Sequence, residues 1–162
     1  MDIYNDELAG LLRAFYQNNV KYILVGGFAT NLHGFTRITA DIDIWIKDNL
    51  GNRKNLRKAI IALGIGDFES FETTELIPGW TSIYLDSGFE LDIMTYIAGF
   101  DKESFDNCYE MAVEAIIAEI PIKFLHLNHL IDSKRIANRA KDILDISELE
   151  KIQQIQKEKG DQ

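Results

Sequence analysis

The run Asp41-Ile42-Asp43-Ile44-Trp45-Ile46 sets two carboxylates at alternate positions of an otherwise apolar segment. Its strict period of two makes it the clearest β-strand in the chain. Alternation sends Ile42, Ile44 and Ile46 to one face and Asp41, Asp43 and Trp45 to the other. Carboxylates two residues apart on one strand face stand about 7 Å apart at their Cα atoms. Like charges this close repel, and each raises the other's pKa. A divalent cation relieves the conflict, and Mg²⁺ takes carboxylates and substrate phosphates as ligands. Phe89-Glu90-Leu91-Asp92-Ile93-Met94 repeats the alternation, with Glu90, Asp92 and Met94 on one face. If this strand lies beside 41–46, Asp92 joins Asp41 and Asp43. Three carboxylates on adjacent strands can hold two metal ions ~4 Å apart for in-line phosphoryl displacement.

Such a site also needs backbone N–H groups for the phosphates. Gly26-Gly27 follows the short apolar run Tyr22-Ile23-Leu24-Val25, which reads as a buried strand, and precedes a helix over Phe28 to His33 closed by Gly34. A glycine turn at a helix N-terminus lets the backbone approach a polyphosphate, and the helix dipole favours the anion. Gly-Gly alone is a weak signal and Asp-x-Asp alone is common. Strand, Gly-Gly, helix, loop and Asp-x-Asp strand in sequence is far more specific. Arg37 could neutralise triphosphate charge or be an ordinary loop arginine. Thr39 suits a local backbone hydrogen bond. Trp45, on the carboxylate side, could stack a base or pack in the core. His33 reads as structural, His126-x-x-His129 lacks a third His or Cys nearby, and Cys108 lacks a partner base.

Periodicity gives the elements that must position these residues. Leu8, Leu11, Leu12 and Phe15 recur at helical spacing, with Asp6 as N-cap. Asn49 to Leu63 reads as an amphipathic helix, with Leu50, Leu56, Ile60 and Leu63 inward and Arg53, Lys54, Arg57 and Lys58 solvated. Pro78-Gly79 is a turn, and the runs 80–85 and 89–96 form a hairpin around Asp86-Ser87-Gly88. Residues 109–125 are ambiguous. Propensity favours a helix through Met111 to Ala115, whereas the alternation of Ile116, Ile117, Ile120 and Ile122, with Pro121 inside, allows two strands; the balance leans to strands. From Asn128 the pattern is helical to about 157, with room for a break near Asn138. Its apolar face is Leu130, Ile131, Ile136, Ile143, Leu144, Ile146 and Leu149. The expected class is α/β (α+β): a mixed or antiparallel sheet carrying the carboxylates, with flanking helices. Residues 1–162 read as a single domain, with C-terminal helices at about 128–157 packed on it.

Composition sets limits. With 162 residues, 46% hydrophobic and 27% charged, the chain is neither disordered nor short of a core. One cysteine makes no internal disulfide and no cysteine zinc cluster, and fits a reducing cytoplasm. The net charge of −9 disfavours an extended nucleic-acid surface, since phosphate backbones are held by Lys and Arg. No apolar run approaches the ~20 residues of a membrane span. No Gly-Lys-Ser/Thr follows the glycines, no Gly-x-Gly-x-x-Gly is present, and Trp45 and Ile46 stand where a calcium loop needs oxygen and glycine.

Val25-Gly26-Gly27-Phe28-Ala29, then Asp41-Ile42-Asp43-Ile44, then Asp92, resembles the nucleotidyltransferase superfamily of DNA polymerase β. The match is closest to its small bacterial branch of minimal nucleotidyltransferases, antibiotic nucleotidyltransferases and abortive-infection toxins. Thirteen residues lie between Gly27 and Asp41, as the pattern allows. Arg37-Ile38-Thr39-Ala40-Asp41-Ile42-Asp43 is similar to that branch's approach to the strand. So are Leu130-Ile131-Asp132-Ser133-Lys134 and Arg139-Ala140-Lys141-Asp142-Ile143-Leu144-Asp145. The resemblance spans about residues 20–150. It implies transfer of a nucleoside monophosphate from an NTP, such as ATP, to an acceptor hydroxyl on a small molecule, a protein or an RNA end. Asp41 and Asp43 would bind two Mg²⁺ (or Mn²⁺) ions, Asp92 the catalytic one, Gly26 and Gly27 the β- and γ-phosphates, and Arg37 and Lys134 the triphosphate charge. It also implies a partner protein, such as an antitoxin. The chain leaves little room for a separate acceptor domain. Two competing readings stay open: a non-catalytic regulatory protein on the same fold, and a metal-dependent phosphohydrolase that uses water as acceptor.

Overall fold

The computed structural model describes residues 6–73 and 79–160. Asp41–Ile46 (β2) is the central strand, and its neighbours on either side run in opposite senses. It pairs antiparallel with Tyr22–Val25 (β1), matching Val25 to Asp43, and parallel with Glu90–Met94 (β4), matching Asp43 to Asp92. Trp80–Tyr84 (β3) closes one edge antiparallel to β4, with Ser82 opposite Asp92. On the other side β1 runs parallel to Ile120–Phe124 (β6), which pairs antiparallel with the second edge strand, Val113–Ile117 (β5). The sheet is thus mixed, in the order β3-β4-β2-β1-β6-β5. The parallel β2–β4 pair requires a crossover. Leu50–Ala62 (α3), Ser70–Thr73 (α4) and β3 lie along it.

Asp6–Gln17 (α1) buries Leu8, Leu11, Leu12 and Phe15, the apolar stripe expected of it. Asp6 is its first residue. α3 has its N-cap at Asn49, whose side chain accepts from the Asn52 N–H. Leu50 is exposed rather than inward, and Asn52 takes the buried place. Its side chain accepts from the Lys21 N–H and donates to the carbonyls of Lys21 and Lys47. One buried amide thereby clamps the start of β1 to the end of β2, a role that a hydrophobicity count cannot show. Gly79 lies in the left-handed region, as a turn would require, while Pro78 falls outside the described residues.

The ambiguous stretch resolves into both readings in succession. Phe105–Met111 (α5) is helical, and β5 and β6 follow as a hairpin. Its two-residue turn, Ala118-Glu119, has both φ angles positive, 51° and 66°. That geometry suits Asn-Gly, whose absence at 118–119 left the two strands toward which the sequence leaned without a turn signal between them.

The C-terminal pattern divides at Asn138, which adopts the left-handed conformation (φ 49°) between Leu127–Ala137 (α6) and Ala140–Gly160 (α7). The inward stripe of α6 is Leu127, Leu130, Ile131 and Lys134; that of α7 is Asp142, Asp145 and Leu149. Ile136, Ile143 and Leu144, expected inside, are exposed. Leu130, Ile131 and Leu149 are inward as expected, but the other inward positions carry charged residues that neutralise one another, which the apolar pattern did not show. No helix of the described residues is long and apolar enough to cross a membrane.

Replacing Ala118 by Asn and Glu119 by Gly should relieve the left-handed strain and stabilise the fold by about 1 kcal/mol. The denaturation midpoint should rise at unchanged slope, and an unchanged midpoint would contradict the turn geometry.

Candidate active site

The carboxylates meet where β1 ends and the parallel strands β2 and β4 begin. Asp41 sits opposite Glu90 and Asp43 opposite Asp92 on neighbouring strands, so four acids occupy two adjacent rungs of one sheet face. Glu90 lies beside Asp41, a neighbour that the sequence did not single out. The Asp43 carboxyl is pushed up to about 7, first by burial, then by the charges of Asp92 and Asp41 and by a hydrogen bond with Asp92, against a smaller opposing effect of Lys141. Asp43 therefore holds its proton far above the usual carboxylate range where the like charges crowd. Asp92 is also hydrogen-bonded by the Ser82 hydroxyl across the β3–β4 rung.

Two of these facts bear on metal fit. Among the described residues, no three acidic, histidine or cysteine side chains enclose an ion as they stand. Yet the cluster is short of positive charge, and a proton is taken up at neutral pH where a cation would otherwise neutralise it. Oxygen-only donors of this kind suit Mg²⁺ or Mn²⁺.

The glycines adjoin this cluster directly. Gly26–Leu32 (α2) begins at the end of β1, and its N-cap, Val25, supplies no side-chain bond to the first turn. Gly26 has φ 64°, and a Cβ there would stand 2.1 Å from Asp43 Oδ2. A Cβ on Gly27 would come within 2.9 Å of both Arg37 Nη2 and Thr39 Oγ1. Both glycines are therefore demanded by the protein's own packing, before any phosphate is considered. Thr39 donates to the Asp41 carbonyl, the local bond expected of it. A cleft of about 260 Å³ opens over these residues, lined by Gly26, Gly27, Arg37, Asp41, Asp43, Asp92, Arg139 and Lys141 among others. A second hollow of about 220 Å³ adjoins it beyond Gly26 and Asp43, and Lys134 lies there.

Arg37 and Lys134 converge on one residue to which sequence reasoning gave no role of its own. Asp145, 1% exposed, takes Lys134 Nζ at 2.8 Å, Arg37 Nη2 at 3.0 Å and Arg37 Nε at 2.8 Å. Lys134 Nζ also stands 3.6 Å from Asp142, which receives Arg139 through Nε at 2.8 Å and Nη2 at 3.1 Å. Burial pushes Asp142 up, but the Arg139 hydrogen bonds and charge and the Lys134 charge prevail, and its carboxyl ends below the ordinary range. Lys134 is only 3% exposed, so its charge is spent on the two aspartates rather than held over the cleft. The cation left to the cleft is Lys141, exposed and, among the described residues, without an ion pair. Asp142 and Asp145 share one face of α7 with Leu149, at i, i+3 and i+7, and could have been found from that spacing had charge been allowed an inward face.

Other expected residues fall elsewhere. Trp45 is fully buried, donates to the Thr95 carbonyl at 3.0 Å and packs edge-on against Phe105, which removes it as a base-stacking group. The alternation placed it on the carboxylate face, and α5 covers that part of the face. His33 is tied to the Leu125 carbonyl at 2.7 Å, a structural role. His126 caps the Asn128 N–H, and Cys108 is buried and free. A further hollow, about 510 Å³, lies at the far end of β1 among Tyr16, Tyr22, Tyr109 and apolar residues of β5 and β6, and Glu114 is the one acid in its lining.

Residues 5–160 match the family described as "Nucleotidyltransferase of unknown function (DUF6036)". The chain belongs to this family. No curated protein matches it in sequence. Solved structures share the fold of this nucleotidyltransferase. The lincosamide antibiotic adenylyltransferase LnuA, with lincomycin bound, superposes with a TM-score of 0.61 at 21% identity, covering 91% of this chain and 97% of its own. ANT(2'')-Ia, in complex with adenylyl-2''-tobramycin, gives 0.52 at 19% identity, with 90% of each chain covered. An antigenic nucleotidyltransferase-like protein from Paracoccidioides brasiliensis gives 0.53 at 17% identity, covering 86% of this chain and 71% of its own. At these identities the likeness is one of fold.

Asp145→Asn leaves Lys134 and Arg37 buried without their counter-charge. It should cost about 3 kcal/mol, readable by denaturant titration, and a loss below about 1 kcal/mol would mean that the network is solvated. A second expectation follows from Asp43. Its folded pKa, about 7, lies above its unfolded value of 3.8, so its contribution to stability is complete below the unfolded value and is lost as pH rises through about 7. Asp142, depressed, stays ionised across that window and lends stability lost only at lower pH. The metal-free protein should therefore melt higher near pH 5 than near pH 8. A melting temperature that rises over this interval would contradict the crowding of Asp43.

Proposed function

We propose that this family member transfers a nucleoside monophosphate from an NTP to an acceptor hydroxyl, with divalent metal at Asp41, Asp43 and Asp92. The observation that carries the reading is the half-buried Asp43–Asp92 rung, short of positive charge, set against the Gly26 backbone at the mouth of a cleft rimmed by Arg139 and Lys141. Carboxylates on one side and cations on the other suit a substrate that brings both phosphate and metal. The bound metal, Mg²⁺ or Mn²⁺ and in the two-ion form a pair, would supply Lewis-acid stabilisation of charge on the transferred phosphoryl group.

The chain's own residues supply the rest. The uncapped first turn of α2 offers N–H groups from Gly27 onward to the polyphosphate, and Lys141 and Arg139 balance its charge. The acceptor oxygen bonds to the α-phosphorus as the α–β bridging bond breaks and pyrophosphate leaves. Asp92, at the rung nearest β3, receives the acceptor's proton. Arg37 and Lys134 act through Asp145, holding the 37–39 loop and α7 against the glycine turn. The single unpaired Cys108 suits work in a reducing compartment such as the cytoplasm.

The test is a melting series with ATP, GTP, CTP or UTP, with and without Mg²⁺, beside transfer assays using α-labelled NTP. Mg²⁺ with one NTP should raise the melting temperature by mass action. Asp92→Asn should keep that shift and lose transfer at least about hundredfold. Lys141→Ala, which breaks no ion pair among the described residues, should weaken NTP binding about fivefold with little loss of stability. No NTP response in the wild type with metal present would sink the reading.

A further inference from the structure

The edge strand β3 continues the sheet face of the carboxylates. Ser82 reaches Asp92, so the side chains two residues away on either hand, Trp80 and Tyr84, emerge on that same face. They flank the Ser82–Asp92 rung at roughly 7 Å on each side. Both are exposed, Trp80 at 50% and Tyr84 at 71%. Tyr96, 48% exposed, stands beside them, its ring over Gly79.

The direction of attack gives these rings a meaning. In a nucleotidyl transfer the entering oxygen and the leaving pyrophosphate lie on opposite sides of the α-phosphorus. The glycine turn, Arg139 and Lys141 lie on the β1–β2 side of the carboxylates. The entering oxygen must then come from the β4–β3 side, across Asp92 and toward Trp80 and Tyr84. Charge divides the same way. From Ala59 to Asp101, a stretch that includes β3 and β4, the chain has eight acidic residues and no Lys, Arg or His. Asp67 and Glu72 are bound to Arg57, but Glu90 lies opposite Tyr84 and Asp92 opposite Ser82, so the acceptor flank carries rings and carboxylates while the nucleotide flank carries Arg139 and Lys141.

We propose that Trp80 and Tyr84 form the acceptor platform, and that the acceptor is a small hydroxyl-bearing ring compound, neutral or cationic, stacked on their faces. The proposal rests on the transferase reading above and names its acceptor class. Aromatic faces take sugar rings, planar rings and cations alike, and acidic surroundings disfavour an anionic polynucleotide.

The experiment uses the full chain with Mg²⁺ and the preferred NTP, and three probes: tobramycin as a cationic ring compound, lincomycin as a second sugar-bearing one, and a short RNA oligonucleotide. Trp45 is buried, so an emission change on adding an acceptor reports Trp80. A ring compound should change the emission and become labelled from α-labelled NTP, whereas the RNA should do neither. Trp80→Ala and Tyr84→Ala should each raise the acceptor KM about fivefold or more, leaving the NTP KM unchanged. Trp80→Phe, which keeps a ring, should restore the acceptor KM and so separate stacking from folding. The proposal is overturned if the RNA alone is labelled, if neither ring compound alters emission or is labelled while the NTP melting shift is intact, or if both alanine variants keep the wild-type acceptor KM. Loss of the NTP melting shift in the wild type would instead bring down the transferase reading itself.

Discussion

Everything at the cleft follows from holding Asp43 beside Asp92 and against the Gly26 backbone. Like charges on adjacent strands resist burial, and burial together with the neighbouring charges pushes the Asp43 carboxyl up to about 7. The approach of Gly26 leaves no space for a side chain, so the residue that follows β1 must be glycine for β2 to present its carboxylate there. The parallel register of β2 and β4 sets which acids meet, and a shift of one residue would turn Asp92 to the core and Leu91 to the cleft. The tightest geometric demands of the chain thus fall on a rung that opposes folding in the absence of cation, the usual mark of a site shaped by function rather than stability.

The C-terminal helices answer the same constraint from outside. Asp145 on α7 binds Arg37 from the loop before β2 and Lys134 from α6, and Asp142 binds Arg139. These buried pairs contribute modestly to net stability, because desolvation offsets most of their attraction. Their effect is positional. Arg37 Nη2 lies where a Gly27 side chain would be, so fixing Arg37 fixes the wall of the glycine turn. Lys141 lies on α7 between the buried Asp142 and the helix start, and the anchoring of its neighbours sets where its free charge stands.

Much of this was legible in the sequence. Strict alternation at 41–46 and 89–94 gave both carboxylate strands and their facing, because period two leaves one solution once a face is apolar. The glycines and the break at Asn138 were readable from residue type. The losses share one cause, which is that polar residues were assumed to face outward. Asn52, Lys134, Asp142 and Asp145 are all buried, while Leu50, Ile136, Ile143 and Leu144 are not. A buried polar group is satisfied only by a partner distant in sequence, as Asn52 is by Lys21 and Asp145 by Arg37, and periodicity within one element does not contain that partner. Trp45 failed in the converse way: its face was right, but the covering helix α5 came from a remote segment.

The two edges of the sheet show how selective the aromatic flank is. Edge strands invite pairing with other chains, and charged residues and proline normally blunt them. The β5 edge follows that rule in part: Ile116 is exposed there, but Glu114 beside it is charged, exposed and paired to Lys123. The β3 edge breaks it. Trp80-Thr81-Ser82-Ile83-Tyr84 carries no charge, and its two aromatic side chains are left in solvent on the side of the carboxylates. Acidic residues stand near it, but none within the strand. An apolar edge left unguarded beside a guarded one costs solubility without adding to the core, since Trp80 and Tyr84 bury little. Within this fold the exception lies at the one edge that borders Asp92, where exposed rings can meet a molecule approaching the carboxylates from the side that the phosphates leave free.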